Sequence, residues 1–68
     1  MKRTTRHHRK PRSIGGNGKS PNISKVSIKQ HEAWHTLFAN MEAEQIARII
    51  NAVWIDPDYE FICIRRDE

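Results

Sequence analysis

Asn22-Ile23-Ser24-Lys25-Val26-Ser27-Ile28-Lys29-Gln30-His31-Glu32-Ala33-Trp34-His35 changes period in mid-run, from two residues to 3.6, and this change decides the fold. Residues 22–28 are rich in β-branched side chains, with Val26 and Ile28 alternating against polar neighbours, and read as a strand. Ser27 and Gln30 then stand in the S-x-x-Q spacing of a capping box, so a helix begins near Ile28. Trp34, Leu37, Phe38 and Met41 recur at i, i+3, i+4 and i+7 and form one apolar stripe. His31 and His35 share a line at the margin of that stripe, at the boundary between core and water.

Upstream, Arg3 to His8 is a short extended segment whose Thr4 and Thr5 suit a strand. Pro11 and the run Ile14-Gly15-Gly16-Asn17-Gly18-Lys19-Ser20-Pro21 break regular structure too often for a helix, so Lys10 to Pro21 is a loop. Two short strands joined by this loop can pair antiparallel. Downstream, Glu42 and Glu44 suit the first turn of a second helix, on which Ile46, Ile49, Ile50, Val53 and Trp54 repeat the apolar stripe. The two helices are expected to pack as a hairpin across the Asn40 region. Asp56-Pro57-Asp58 makes a turn, and Tyr59-Glu60-Phe61-Ile62-Cys63-Ile64 reads as a final strand. The expected fold is α+β, one domain over 1–68: a ββα unit over 1–41, extended by a helix and a C-terminal strand over 42–68.

Charge is distributed unevenly along the 68 residues, and the net of +4 hides it. Met1 to His31 holds Lys2, Arg3, Arg6, Arg9, Lys10, Arg12, Lys19, Lys25 and Lys29 with no acid, while Glu32 to Glu68 holds eight acids against three bases. A basic half of this kind points to a polyanionic partner, because each phosphate neutralised releases condensed counterions. Chains this short usually need a metal, disulfides or a partner subunit to supplement a small core. Cys63 is the single cysteine, which excludes an internal disulfide and a cysteine-rich zinc site. Histidine-held metal or oligomerisation is left. No apolar run reaches the roughly 18–20 residues of a membrane span, and Gly/Pro/Ser sequence follows the basic start, so no membrane role and a cytoplasmic location are expected.

Two histidines at i and i+4 on a helix face the same way, a spacing at which imidazoles commonly bind transition metals. His7 and His8 stand at the end of a strand that can lie beside that helix. Successive strand residues point to opposite faces, so one ring can bind metal while the other acts elsewhere, as a general base for example. Against these readings, an isolated H-x-x-x-H pair is more often an ordinary surface feature, Gly15 and Gly16 can simply make a tight turn, and Asn22 can be a strand-entry residue. Trp34, Phe38 and Trp54 fall on apolar stripes and are expected in the core, not as base-stacking platforms.

His7-His8-Arg9-Lys10-Pro11-Arg12-Ser13-Ile14-Gly15-Gly16, then Asn22, then His31, resembles the HNH nuclease family, whose fold is a two-stranded ribbon and a helix around one metal. The additional His35 makes it similar to the colicin-type DNase variant, in which the helix offers two histidines. The resemblance covers His7 to His35, less than half of the chain. It implies that His7, His31 and His35 bind one divalent metal, with Zn, Mg, Mn and Ni all acceptable to three histidines. It further implies that His8 is the general base and that Asn22 orients His8 or braces the loop. Arg6, Arg9, Lys10, Arg12 and Lys19 would hold the nucleic-acid backbone, with DNA the expected substrate and 5′-phosphate and 3′-hydroxyl products. The sequence leaves monomer, homodimer and larger complex open.

Three rivals use the same residues. His31-Glu32-Ala33-Trp34-His35 spells H-E-x-x-H, the zincin protease signature, with Glu32 as base. That family needs a larger chain and a third downstream ligand, and no histidine follows His35. A second rival keeps the fold and the metal but cuts nothing: a non-catalytic nucleic-acid-binding module, or a subunit of a larger nuclease complex. The third, a protein-interaction adaptor using the acidic helical half, leaves the histidines idle.

Overall fold

A computed structural model describes residues 3–66; Met1, Lys2, Asp67 and Glu68, which the expected 1–68 domain includes, lie outside the described residues. The period change at Ser27 appears as expected. Strand β1 (Thr4–His8) pairs antiparallel with β2 (Ile23–Ser27), and helix α1 (Ile28–Phe38) leaves the second strand without an intervening loop. Ser27 caps the helix, its hydroxyl accepting the Gln30 N–H at 3.0 Å. Asn22, expected to open the strand, instead closes a single 3₁₀ turn over Ser20–Asn22. Among the described residues the sheet has two strands, and α1 lies against both of them.

A second helix, α2 (Ala43–Ile49), begins after Glu42, whose N–H donates to Gln45 Oε1 at 2.9 Å. Together these elements make the α+β fold read from the sequence, with a ββα unit at its N-terminal side. The expected helical hairpin is not formed. Helix α1 stops at Phe38 because Ala39 takes a positive φ of 48°, and α2 runs on directly into the π-helical turn Ile50–Trp54. The wider winding, marked by the Ile55 N–H to Ile50 carbonyl bond at 3.1 Å, rotates Val53 and Trp54 off the 3.6-residue stripe. Trp54 is exposed as a result and is not the core residue its spacing suggested.

The C-terminal strand expected at Tyr59–Ile64 is also absent. Among the described residues the sheet holds only β1 and β2, and this segment pairs with neither and runs as coil. It is anchored by the Tyr59 N–H, which donates to the Asp56 carbonyl at 3.0 Å, and by Asn51, whose amide accepts the Phe61 N–H at 2.8 Å and donates to the Phe61 carbonyl at 2.9 Å.

Among the described residues only Phe38 is buried. The radius of gyration, 13.4 Å, exceeds the roughly 11 Å of a well-packed chain of this length. An open groove of about 760 Å³ is lined by Arg9–Pro11, Ile14 and Trp34 together with residues of α2 and the C-terminal segment.

Candidate metal centre

Alternation along β1 sends Thr5 and His7 to the face that meets α1, and Thr4, Arg6 and His8 to the other. His7 is placed by that face: its ring stands edge-on to His31 at 5.1 Å between centroids, to Trp34 at 5.9 Å and to His35 at 6.3 Å. Trp34 in turn packs on Phe38 at 4.6 Å, so the buried residue supports the ring that flanks His7. His31 and His35, one helical turn apart, bring their Nε2 atoms to 2.9 Å. One ligand nitrogen from each of His7, His31 and His35 lies within 4.8 Å of the other two.

The donor set fits a divalent ion. Nitrogens sharing a tetrahedral centre at metal bond lengths of 2.0–2.1 Å stand about 3.3 Å apart, so rotamer-scale movement closes the set. Protonation favours the same outcome. The His7 imidazole lies below its ordinary pKa of 6.5, first because burial disfavours its charged form, then through repulsion by His31, His35, His8 and Arg9. A neutral imidazole is the form that binds metal. Three histidines therefore meet at one point, close enough to hold a metal ion. Glu32 does not join them; it borders a separate notch formed with Arg3, Lys25 and Lys29.

Asn22 braces the loop, one of the two roles the resemblance implied. Its Oδ1 accepts the Lys10 N–H at 2.7 Å, while Nδ2 donates to the carbonyls of Lys10 at 3.0 Å and Asn17 at 2.7 Å. These bonds, with the Arg9 N–H to Asn22 carbonyl bond at 2.8 Å, tie the residues after His8 to the entry of β2. No bond joins Asn22 to the His8 ring among the described residues. Gly16 is fixed by the same loop. Its N–H donates to the Pro11 carbonyl at 2.9 Å, and a Cβ there would collide with the Lys10 backbone. Gly16→Ala is expected to lower stability by about 1–3 kcal/mol, the range of overpacking, with a parallel loss of metal affinity; urea unfolding and metal titration check both.

The five residues expected to hold a nucleic-acid backbone stand on different parts of the fold. Arg6, Arg9, Lys10, Arg12 and Lys19 are all exposed. Arg9 and Lys10 line the groove, and Arg9 also donates through Nη1 to the Pro21 carbonyl at 2.9 Å. Arg12 and Lys19 lie on the loop. Arg6 faces away from α1, directly opposite Lys25 in the strand register. Like charges facing each other across a ribbon are destabilising, and neither strand contains an acid. Sequence reading missed Lys25 because only the register pairs it with Arg6. Comparison of the chain with protein-family models, with curated proteins and with solved structures gave no match.

Among the described residues no helix is long and apolar enough to cross a membrane.

Proposed function

We propose that this chain is a metal-dependent endonuclease of the HNH type that hydrolyses phosphodiester bonds, DNA before RNA. The observation that carries the reading is the meeting of His7, His31 and His35 at one point, on a ribbon whose next residue is a fourth histidine and whose other neighbours are cations. His7, His31 and His35 would hold a divalent ion, which when bound would supply Lewis-acid stabilisation of charge on the phosphoryl group and the departing oxygen. His8 removes the proton of the attacking water, a role suited to an imidazole at neutral pH. Asn22 holds the loop that follows His8, and Arg9, Lys10, Arg12 and Lys19 attract and position the backbone through charge. The zinc-protease reading has no support in the placement of Glu32, beside Arg3, Lys25 and Lys29.

One observation favours the competing reading, a non-catalytic metal-stabilised nucleic-acid binder: alternation turns His8 to the ribbon face away from the three other rings. Plasmid nicking by the purified chain, with and without Mg, Mn, Ni or Zn, separates the two. Metal-dependent nicking supports the nuclease. Tight, salt-sensitive binding without cleavage in any metal leaves the binder.

The Arg6–Lys25 face gives a further expectation common to both readings. Lys25→Glu relieves the cross-strand repulsion and raises stability by about 0.2–1 kcal/mol. The same change weakens binding across all sequences and lowers the slope of log affinity against log salt by about 1 or more. Thermal unfolding and binding isotherms at several salt concentrations measure the two effects, which should move in opposite directions.

A further inference from the structure

Apolar residues are concentrated where the fold leaves them uncovered. Tyr59, Phe61, Ile62 and Ile64 are all more than half exposed, from 57% at Phe61 to 77% at Ile64. Scattered exposed apolar residues are ordinary, but four within six consecutive positions mark an interaction surface.

The backbone of this segment has one occupied edge and one open edge. Asn51 takes both the N–H and the C=O of Phe61, and these two groups point the same way only when the residue is extended. Among the described residues no hydrogen bond engages the backbone groups of Glu60, Ile62 or Ile64, and wherever the extension at Phe61 continues along the segment these groups lie on the edge opposite Asn51. An extended segment with a row of open backbone groups is a template for strand pairing.

The order of charges identifies the partner. Asp58 and Glu60 precede Ile62, Arg65 and Arg66 follow it, and Asp67 and Glu68 come after them in the sequence. Laid antiparallel on a second copy about Ile62, the segment sets Asp58 against Arg66, Glu60 against Ile64 and Tyr59 against Arg65. This alignment also makes Ile62, Glu60 and Ile64 the hydrogen-bonded positions, as the open edge requires. A parallel alignment would set Asp58 on Asp58 and Arg66 on Arg66, which is unfavourable. A two-fold interface is self-complementary by definition, and the charge sequence of 58–66 has that property. The chain also has a reason to associate, since Phe38, the single buried residue among those described, is a small core for independent stability.

We propose that residues 59–65, flanked by Asp58 in the preceding turn and by Arg66, form the strand of a homodimer, two copies pairing antiparallel about a two-fold axis at Ile62. This interface accounts for the strand pattern at Tyr59–Ile64 that finds no partner within one chain. It is independent of the nuclease reading.

Sedimentation velocity of the full chain tests it. A concentration-dependent monomer–dimer equilibrium is expected. Arg66→Asp should weaken it roughly five- to tenfold, since two ion pairs per dimer become repulsions. The exchange Asp58→Arg with Arg66→Asp restores complementarity and should return the constant to the original value. In a Cys63→Ser background, Ile62→Cys should form a disulfide dimer on mild oxidation, because paired positions bring Cα atoms to about 5.5 Å. A monomer at every concentration overturns the proposal. So does a dimer that ignores both charge variants and resists cross-linking at position 62.

Discussion

Replacing His8 by alanine is expected to remove phosphodiester cleavage by roughly 10²–10⁴-fold, the contribution of a positioned general base, while leaving metal affinity within about twofold. The separation of the two readouts follows from the ribbon. His7 is gathered with His31 and His35 on the α1 side, whereas His8 is turned to the other face by strand alternation and is not part of the three-ring cluster. His31→Ala removes a ligand and should abolish both properties. The pair of variants therefore distinguishes a base from a ligand within one nicking assay and one metal titration. Equal activity of His8→Ala and the original chain, under conditions where His31→Ala is inactive, would remove His8 from the mechanism. Glu32→Gln supplies the control for H-E-x-x-H chemistry, and it should retain full nicking activity, since Glu32 lies in the notch with Arg3, Lys25 and Lys29.

The region from His7 to His35 was legible in the sequence because local rules suffice there. A capping serine, a period change and an i, i+4 pair each act within a few residues, and α1 begins at the residue they indicate. The meeting of His7 with the helix pair is a longer-range consequence, yet it needed only an antiparallel ribbon with one helix packed on it. Residues 39–66 were less legible because their structure depends on facts that no short window contains. Ala39 adopts a positive φ without being glycine, and this ends α1 before Met41 can extend its stripe. The π-helical winding at Ile50–Trp54 keeps the helix going but breaks the phase of its apolar residues. The pattern at Tyr59–Ile64 has the composition of a strand, and composition cannot supply a neighbouring strand to pair with. Asn51, which holds Phe61 by two bonds, carries no signal in the sequence that separates it from any other helical asparagine.

Metal removal is expected to have the largest effect on stability. Among the described residues only Phe38 is buried, so an ion held by the three histidines between β1 and α1 would replace part of what a larger core provides. An ion bound at a thousand times its dissociation constant stabilises the native state by about 4 kcal/mol. In a domain of this size each kcal/mol moves the midpoint by roughly 4–8 °C, so chelation should lower Tm by more than about 15 °C. Acid should act in the same direction. The pKa of His7 in the folded apo chain lies below 6.5, so the unfolded chain binds more protons as pH falls from 6.5 toward the lowered value. Stability of the apo fold is thus complete above 6.5 and declines across that interval; in the metal-loaded chain the decline steepens, because each ligand must lose its proton to bind. Calorimetry with and without chelator across this pH range measures both effects. His35→Ala should flatten the chelator response, whereas His8→Ala should preserve it. A Tm that ignores chelator at neutral pH in the original chain would show that the three rings do not hold an ion that the fold depends on.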